Sequence, residues 1–598
     1  MIALDVESGS GPRRVDLLDY VEPSQEERAH EDAYQWIKAV RRMRVDGESF
    51  RTRLTYRGDS LWWFAELYLH KTQAILQVLR TLSAFDTLFE RERPLAVRHV
   101  AGGIPGVIAH AAAARKVRYT GAGWNAEVTS LARMDARAVG LAMAARLSRL
   151  RLGRASSADR AKVAAFVHRA FWRADRGDGS AESYIGPVLS AIESRVPAGQ
   201  VRYVGIGPTT NFRARRWWTP LTAAHEHGMI PIERYAPWRA LTPSAAVFSD
   251  RHAMRQRMWE SADLRAHAVI RGCDCWPLVK QQLAGVALLQ FPWSARAMDE
   301  AGAALDALRP DVAVTYAEAG GWGRALALEA RRRRIPLAGL QHGFIYRHWL
   351  NYRHEPDETA PDPVNASDAG FPFPASTLLF DDHAARQLTV TGRFPPEAIE
   401  VTGSARLDEL VASVQALDAA AIARTTADAG AADGRPLVVF AAKEREARRS
   451  LPALMAAIES MPEVQLAIKP HPAETPDVYR AVVGTAPNVR ILPGATPLPA
   501  LLAATRLLVT VNSTVAVDAL TLGIPSLVIG LPNNLTPFVD AGVMAGATSA
   551  DEIRTALARV LYDQEFRKSS EPGTGARSGG SSAARSAEAI LRLAKVKN

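Results

Sequence analysis

The 598-residue chain has only two cysteines, Cys273 and Cys275, which stand in the stretch RGCDCWP. A single Cys-x-Cys pair supplies too few ligands for a structural zinc site and no disulfide framework, so we expect reduced thiols. No run of eighteen apolar residues occurs, and the polar N-terminus lacks the apolar core of a signal peptide. We therefore expect a cytoplasmic protein, for which a peripheral contact with the inner face of the cytoplasmic membrane stays open.

Lysine is scarce as well, because only ten of the 73 basic residues are lysines and the others are arginines. The formal net charge is +10. The planar arginine fork matches phosphate and carboxylate groups, so this excess favours an anionic partner: a nucleotide, an acidic glycan, a membrane surface or a nucleic acid. A GC-rich genome, in which Arg and Ala codons are common, explains the same excess without any partner.

The chain is too long for one core, and its 47% hydrophobic and 23% charged residues are ordinary for a globular protein. From Ser376 onward, short apolar runs alternate with helix-like stretches. Continuous Val/Ile/Leu runs are typical of strands buried on both faces, and their alternation with helices indicates a parallel sheet. We predict a Rossmann-like doubly wound domain over 372–565, with strands at 377–380, 399–403, 436–442, 464–470, 489–492, 506–511 and 525–530.

The N-terminal half is less regular, and we predict a second Rossmann-like domain over 93–354 with a helical insertion between its first strands. The candidate strands of this domain are 95–102, 201–207, 229–235, 312–318 and 336–343. The candidate helices are 130–150 and 158–176. Residues 1–92 are predicted to be an appended region, 355–371 an interdomain loop, and 566–598 a flexible tail with a short helix. In such a protein the carboxyl ends of both sheets are expected to face a cleft, where ligands bind.

Two motifs follow predicted strands of the C-terminal domain. In IKPHPAET, Lys469 and His471 come directly after a strand, and the prolines on either side of His471 restrict its backbone. About forty residues later, Ser513 and Thr514 stand between a strand and a helix, where hydroxyls cap the helix and free N–H groups attract an anion. A structural loop and plain capping explain the same residues, but together the two motifs indicate a phosphate or diphosphate site.

Other charged residues follow strand ends of the same domain. Lys443 and Arg445 come after the run PLVVFAA and are candidate contacts for the phosphates of a donor nucleotide. Arg406 lies in the turn GSARLD as a further candidate, and Asp518 lies one turn into the helix after Thr514 as a candidate sugar contact. An ordinary solvated helix face explains each of these charges without a ligand.

Candidate catalytic residues end two predicted strands of the N-terminal domain. Glu318 ends one of them, where partial burial would raise its pKa and suit it to deprotonate an acceptor hydroxyl; helix capping is the alternative. His342 lies in the triplet Q-H-G at the end of the next strand, with Gln341 beside it and Arg347 downstream as candidate acceptor contacts. A hinge loop with a structural glycine explains this triplet without chemistry.

After the strand at 201–207, the stretch PTTNFRARRWW supplies Asn211 and Arg213 as candidate contacts for an acidic acceptor. Gly205 and Gly207 make only a G-x-G, which is not a dinucleotide fingerprint. The arginines and tryptophans of this stretch also suit a membrane interface, and a structural Arg/Trp stack explains them equally well.

These motifs together resemble the donor half of GT-B glycosyltransferases of bacterial surface-polysaccharide synthesis. The histidine-proline pair at 471–472 and the later Ser513-Thr514 are similar to motifs of bacterial polysialyltransferases, capsule Kdo transferases and the CDP-glycerol polymerases of teichoic acid. The likeness covers about 310–550 and extends to VTGSARLD and the Q-H-G triplet. It implies a GT-B-like α/β fold in which His471, Pro472, Ser513 and Thr514 contact the phosphates of the donor nucleotide.

The resemblance implies a transferase that moves a sugar from a CMP-, CDP- or UDP-linked donor to a glycan or lipid-linked glycan of a capsule or lipopolysaccharide. No D-x-D triplet occurs, so we expect no metal and no cofactor, with Lys, Arg and His neutralising the leaving phosphate.

Two other activities stay open on the same fold: a UDP-sugar 2-epimerase or hydrolase, and a glycerophosphotransferase. A non-enzymatic binder of an anionic polymer is least favoured, and nucleic acid is not an expected partner, because no helix-turn-helix, RRM or zinc pattern is present.

Overall fold

A computed structural model describes residues 2–9, 11–124, 127–152, 160–172, 182–207, 228–316, 318–443, 447–471, 474, 477–484, 486–563 and 581–595 of the chain. The chain forms two compact units: unit 1 comprises residues 1–403 and 583–598, and unit 2 comprises residues 404–582. No helix within the described ranges is long and apolar enough to cross a membrane.

The N-terminal region of unit 1 contains a four-stranded sheet covered by helices. Its elements are β1 (Ala3–Ser8), β2 (Gly11–Asp16), α1 (Pro23–Ala39), β3 (Arg44–Val45), β4 (Glu48–Ser49), α2 (Phe50–Arg53), β5 (Thr55–Tyr56), β6 (Asp59–Ser60), α3 (Trp62–Thr72), α4 (Ala74–Glu92), β7 (Ala96–Ala101), α5 (Pro105–Ala114) and β8 (Arg118–Thr120). The strand order of the sheet is β2-β1-β7-β8. Helix α4 buries Val78, Leu82, Phe85 and other residues at helical spacing, and this apolar face holds it against the core.

A seven-stranded sheet forms the centre of unit 1, and all its neighbouring strands are parallel. Its strands are β9 (Val163–His168), β10 (Val201–Ile206), β11 (Met229–Pro231), β14 (Val312–Tyr316), β15 (Leu337–Leu340), β16 (Ser376–Leu379) and β17 (Ile399–Val401). The order β11-β10-β9-β14-β15-β16-β17 means that strand addition reverses direction between β9 and β14. All residues of β14 are buried, as expected of a strand covered on both faces.

Helices and one short hairpin connect and cover these strands. They are α6 (Glu127–Leu152), α7 (Gly186–Glu193), α8 (Ile232–Tyr235), α9 (Thr242–Glu260), α10 (Ala262–His267), β12 (Val269–Ile270), β13 (Cys273–Asp274), α11 (Trp276–Gly285), α12 (Phe291–Leu308), α13 (Gly321–Arg332), α14 (Pro356–Thr359) and α15 (Asp382–Val390). A π-helical turn, Val286–Gln290, joins α11 to α12.

Buried ion pairs join the N-terminal region to the segment 355–371. Lys38 Nζ lies 2.5 Å from Glu66 Oε2 and 2.7 Å from Glu358 Oε2, and all three side chains are buried. The apolar core around them runs without a break from α1, α3 and α4 into α11 and α12. The segment that the sequence predicts as an interdomain loop therefore lies within unit 1, where its carboxylates complement cations of the N-terminal region.

Unit 2 is built on a six-stranded sheet, which is also entirely parallel. Its elements are α16 (Ala405–Gln415), α17 (Ala419–Asp428), β18 (Leu437–Ala441), α18 (Leu451–Glu459), β19 (Gln465–Lys469), α19 (Asp477–Val483), β20 (Val489–Ile491), α20 (Leu498–Ala504), β21 (Leu507–Thr510), α21 (Val515–Thr521), β22 (Ser526–Ile529), α22 (Thr536–Asp540), β23 (Ala545–Ala547) and α23 (Ala550–Tyr562). The order β20-β19-β18-β21-β22-β23 is that of the Rossmann fold, with its reversal between β18 and β21. Helix α24 (Ser582–Leu593) follows, and from Ala583 onward it belongs to unit 1.

The two Rossmann-like parallel sheets confirm the predicted α/β, GT-B-like fold class. Several local assignments differ from the sequence-based ones. The strand predicted at 229–235 ends at Pro231, where the short helix α8 begins. Residues 158–176, predicted to be helical, contain the strand β9, because a short apolar run has the same composition in a buried helix and in a buried strand. The run at 95–102 forms β7 of the small sheet, and β16 pairs with β15 and β17 with β16 in unit 1 instead of opening the C-terminal domain. Strand pairing decides these placements, and an apolar run does not reveal its neighbours.

Candidate functional site

The candidate phosphate site lies at the carboxyl edge of the sheet in unit 2, where the strand order reverses between β18 and β21. The ends of these strands are joined directly, since Thr510 Oγ1 donates a hydrogen bond of 2.5 Å to the carbonyl of Ala441. Lys443 comes two residues after β18, and residues 512–514 follow β21. Because open parallel sheets bind ligands at this reversal, the fold brings two of the predicted motifs to it. We call the residues that follow β18, β19 and β21 the unit 2 edge.

The turn at 512–514 is held by its own hydrogen bonds. Ser513 N donates to Thr510 Oγ1 at 3.3 Å, and Val515 N donates to Ser513 Oγ at 3.3 Å. Asn512 Oδ1 accepts a hydrogen bond of 2.9 Å from a backbone N–H near α22. Ser513 thus supports the start of α21, while Thr514 is exposed. The turn presents the Thr514 hydroxyl on a backbone that is fixed by neighbouring residues.

The IKPHP segment places its two basic residues in different environments. Lys469 is buried, and its ammonium donates to the carbonyls of Gly494 at 2.7 Å and Pro470 at 3.2 Å. Burial lowers the pKa of Lys469. His471, two residues further along, is exposed. Lys469 therefore anchors the base of the segment, and His471 lies at the surface of the unit 2 edge.

Arg406 and Asp518, two further candidates, bind each other. Arg406 Nη2 lies 2.5 Å from Asp518 Oδ1, and the Asp518 side chain is buried within α21. This ion pair ties the start of α16 to the helix that follows the 512–514 turn. Four of the candidate residues, Pro472, Arg445, Asn211 and Arg213, lie outside the described residues.

The carboxyl edge of the sheet in unit 1 carries aromatic and titratable groups at its own reversal point, between β9 and β14. His168 N donates to Tyr316 Oη at 2.9 Å, which joins the ends of the two strands. The ring of His342 lies 5.5 Å from the ring of Tyr316 and 5.8 Å from that of Tyr184. Burial lowers the pKa of His342 to about 4, so its imidazole is neutral near pH 7. We call the last residues of β9, β14 and β15, together with the residues that follow these strands, the unit 1 edge.

Glu318 lies at the end of β14 but inside the core, with 3% of its surface exposed. Burial raises the pKa of Glu318 to about 7, and the hydroxyl of Tyr352 partly offsets this effect. Two glycines make room for the residue. A Cβ atom at Gly339 would lie 2.7 Å from Glu318 Cγ, and one at Gly323 would lie 2.3 Å from Glu318 Cα. The carboxyl group of Glu318 can therefore exchange a proton near neutral pH. A larger residue at Gly323 or Gly339 would displace Glu318.

Gln341 fixes the turn that carries His342. Its Oε1 accepts a hydrogen bond of 2.8 Å from Phe380 N, beyond the end of β16, and its Nε2 donates to the carbonyl of Gly343 at 2.9 Å. The side chain is buried between the two strand ends. Gln341 therefore positions the imidazole of His342 through the backbone on both sides of it.

Helix α1 contacts the chain that follows this turn. Arg347 Nη2 donates to Glu27 Oε1 at 2.8 Å, and the rings of His30 and His348 stack at 4.3 Å. Burial lowers the pKa of His348 to about 3, so this ring is neutral in the stack. The N-terminal region thus holds the segment that carries Arg347, another of the candidate residues.

The sequence did not point to Tyr316, Tyr184, His168 or Glu182 of the unit 1 edge. Glu182 is buried, its Oε2 accepts a hydrogen bond of 2.7 Å from Tyr184 N, and burial raises its pKa. Tyr316 lies two residues before the end of the strand predicted at 312–318 and is the last residue of β14, so closeness to a strand end is a usable signal for it. The other three residues carried no such signal, because β9 was assigned to a helix.

Among the described residues, no cluster of three or more His, Cys, Asp or Glu side chains is arranged to hold a metal ion. The groups suited to an anionic ligand are instead the cations and hydroxyls of the unit 2 edge.

No protein-family model and no curated protein matches the chain, whereas solved structures do. They include UDP-GlcNAc 2-epimerase from Neisseria meningitidis bound to UDP-GlcNAc (13% identity, TM-score 0.40, 72% of this chain and 98% of that chain covered). MurG from Acinetobacter baumannii is similar at 13% identity and a TM-score of 0.37, with 72% and 99% covered. The calicheamicin glycosyltransferase CalG4 is similar at 15% identity and a TM-score of 0.35, with 73% and 96% covered. At such identities these are similarities of fold alone.

Proposed function

We propose that the protein is a glycosyltransferase that moves a sugar from a nucleotide-activated donor to a surface glycan of the capsule or lipopolysaccharide type. The observation that carries the proposal is the unit 2 edge, where Lys443, His471 and Thr514 all follow the carboxyl ends of strands in one sheet of Rossmann strand order. Cationic and hydroxyl groups at such a place favour the phosphates of a nucleotide.

Glycosyl transfer releases a nucleotide, so negative charge develops on the phosphate oxygen at the bond that breaks. Groups that bind this charge more strongly in the transition state than in the bound donor accelerate the reaction. We assign that role to Lys443, His471 and the hydroxyl of Thr514. Lys469 and Ser513 position them, because the Lys469 ammonium donates to the carbonyl of Gly494 and the Ser513 hydroxyl accepts from Val515 N. The reaction in this proposal uses no metal ion.

We assign the proton transfer from the acceptor hydroxyl to unit 1. His342 is the first candidate base: burial lowers its pKa, so its imidazole is neutral near pH 7 and one ring nitrogen has a lone pair that can accept a proton. Glu318, with a pKa of about 7, is the second candidate base. The expected acceptor is a glycan or a lipid-linked glycan, and the expected donor carries CMP, CDP or UDP.

A thermal-shift panel of CMP, CDP, UDP, GDP and ADP tests the donor site. A nucleotide at about a hundred times its Kd stabilises the protein by about 2.7 kcal/mol. Thr514→Val removes the hydroxyl with little change of shape, and we expect it to weaken the shift. Thr389→Val, at an exposed position of α15 in unit 1, is the matched control and should keep the shift. If none of the five nucleotides raises the melting temperature, the proposal fails.

A UDP-sugar 2-epimerase or hydrolase is the second candidate function. Unit 1 contains two buried carboxyl groups, Glu182 and Glu318, whose pKa values are raised, and proton transfer at a sugar ring uses such groups. Incubation with UDP-GlcNAc and no acceptor separates the two functions. Turnover under that condition favours the second candidate, and turnover only with added glycan favours the transferase.

A further inference from the structure

Helix α6 presents an apolar stripe to solvent. Met143 is 57% exposed, Leu147 48% and Val139 38%. Their spacing of four residues places them along one side of the helix. Single exposed apolar residues are ordinary on a protein surface, but three in register on one helix form a patch that needs an explanation. We call these three residues the α6 stripe.

Arginines flank the α6 stripe on both sides. At 100° per residue, Arg133 and Arg137 lie on one side of it and Arg146 on the other, and all three are exposed. Asp135, the carboxylate between the first two, faces α9 instead, where it lies 3.0 Å from Arg251 Nε. The exposed face of the described part of α6 therefore combines apolar side chains with cations.

The side of α6 that carries Ala138 and Arg149 is bound to unit 1, so the orientation of the stripe is set by the fold. Arg149 pairs with the buried Glu300 of α12, and its Nε donates to the carbonyl of Ala236 at 2.8 Å. Ala138, also on this side, is buried. Trp238 stands two residues after Ala236 and is 60% exposed. Its aromatic side chain is therefore near the same end of α6 as Leu147.

We propose that the α6 stripe docks on a bilayer surface rich in anionic phospholipid. Apolar side chains of an interfacial helix enter the boundary between headgroups and acyl chains, while flanking arginines bind lipid phosphates. Tryptophan is enriched at the same depth, which suits Trp238. A second copy of the chain fits this face less well, because a two-fold axis through the stripe would bring arginines of both copies together. The inference does not rest on the proposed activity.

Co-sedimentation of the full chain with lipid vesicles tests the docking. We expect binding to vesicles of phosphatidylethanolamine and phosphatidylglycerol, weaker binding at high salt, and little binding to phosphatidylcholine alone. Met143→Glu combined with Leu147→Glu should lower the affinity at least tenfold. Replacing Arg133 or Arg146 by Ala should lower it about fivefold each, since one cation near an anionic surface contributes about that factor.

Two matched variants test whether a change of surface charge or surface hydrophobicity anywhere on the protein would alter vesicle binding. Val390→Glu places the same charge at an apolar residue that is even more exposed, on α15, and should bind vesicles as the unchanged protein does. Gly140→Leu widens the stripe, because a side chain at this position meets no atom within 4 Å, and should strengthen binding. Circular dichroism and melting temperature establish that each variant is folded.

Two results would overturn the proposal. One is vesicle binding that the Met143→Glu, Leu147→Glu double variant leaves unchanged. The other is a lipid-free dimer, detected by analytical ultracentrifugation, that the double variant abolishes, because the stripe would then be a contact between copies of this chain.

Discussion

At the reversal point of its sheet, unit 1 carries Tyr316 and Glu318, both buried, whereas unit 2 carries Lys443 and Thr514, both exposed. The two sheets have the same strand order apart from the extra strand β17 in unit 1, so topology alone does not explain the difference. Burial moves a titratable group toward its neutral form, which gives Glu318 a pKa of about 7 and makes it able to exchange protons. Exposure leaves charge available for an anion. Strand order thus decides where a site lies, and burial decides which chemistry it can perform.

Buried charges of the N-terminal region reach the turn that follows Glu318 in unit 1. Arg324 pairs with Glu66 of α3 and donates to the carbonyl of Ala319, at 2.9 Å, directly after Glu318. Glu66 in turn binds Lys38 of α1. A chain of buried charges therefore connects the first helices of the protein to the turn that holds Glu318.

Of the changes predicted here, removal of Glu66 is expected to cost the most folding free energy. Glu66→Ala leaves Lys38 with one carboxylate and Arg324 with none of its charged partners, and a buried charge that loses its partner costs about 3–5 kcal/mol of folding free energy. Urea unfolding monitored by tryptophan fluorescence measures the loss. Glu92→Ala, which breaks the partly exposed pair with Arg13, is the control and should cost about 1 kcal/mol or less. Equal losses in both variants would contradict the role given to the buried network.

Glu318 makes the stability of the protein depend on pH. Its pKa is raised from 4.5 to about 7 in the folded state, so the folded protein holds the proton more tightly than the unfolded chain. The stability from this group is complete below about pH 4.5 and is lost as pH rises through 7, a difference of about 3 kcal/mol. Glu318→Gln should flatten that part of the profile and exceed the unchanged protein in stability at pH 8. Unfolding free energies at pH 5 and pH 8 measure this, and parallel profiles would refute it.

Substitution of Lys443 tests whether the exposed charge at the edge of unit 2 binds the donor. Because its side chain is exposed, Lys443→Met should leave the melting temperature unchanged while it lowers kcat/KM about a hundredfold, or about 2.7 kcal/mol, with the donor found in the nucleotide panel. Lys71→Met, at an exposed lysine of α3, should change neither quantity. Unchanged kinetics for Lys443→Met would remove this residue from the donor site.

His354 offers the smallest expected effect. It is buried against Phe371 at a ring distance of 3.7 Å, and neither ring nitrogen has a hydrogen-bond partner among the described residues. Burial lowers its pKa well below 6.5, so its contribution to stability is present above pH 6.5 and is lost as pH falls. The unfolding free energy is therefore expected to be lower at pH 5.5 than at pH 7.5.

His354→Phe should remove that loss, because phenylalanine fits among Phe371, Phe373 and Phe394 without a charge to bury. Urea unfolding at pH 5.5 and 7.5 measures the change. The same fall in stability in the variant and in the unchanged protein would show that other groups cause it. Between pH 5.5 and 7.5, ionisation of Glu318 lowers the stability as pH rises, whereas His354 raises it. The variants His354→Phe and Glu318→Gln are therefore best measured in the same pH series.

Much of unit 2 could be predicted from local sequence. The runs that became β18, β19, β21 and β22 are continuous and apolar, as in any strand buried on both faces, and the turns after them contain the proline, serine and threonine residues of the candidate motifs. Unit 1 was harder for a physical reason. The run at 163–168 has no polar alternation, so its composition did not separate a strand from a helix.

The sequence by itself determined that the chain is an α/β protein with parallel sheets and that Lys443, His471, Ser513 and Thr514 follow strands. It also determined the strand-end positions of Glu318 and His342. Only the tertiary structure decided that β18 and β21 are neighbours, that β16 and β17 belong to unit 1, and that Lys469 and Asp518 are engaged by other protein groups. Pairing and burial depend on residues that are distant in the chain, such as Lys38 and Glu358, and local patterns contain no record of those contacts.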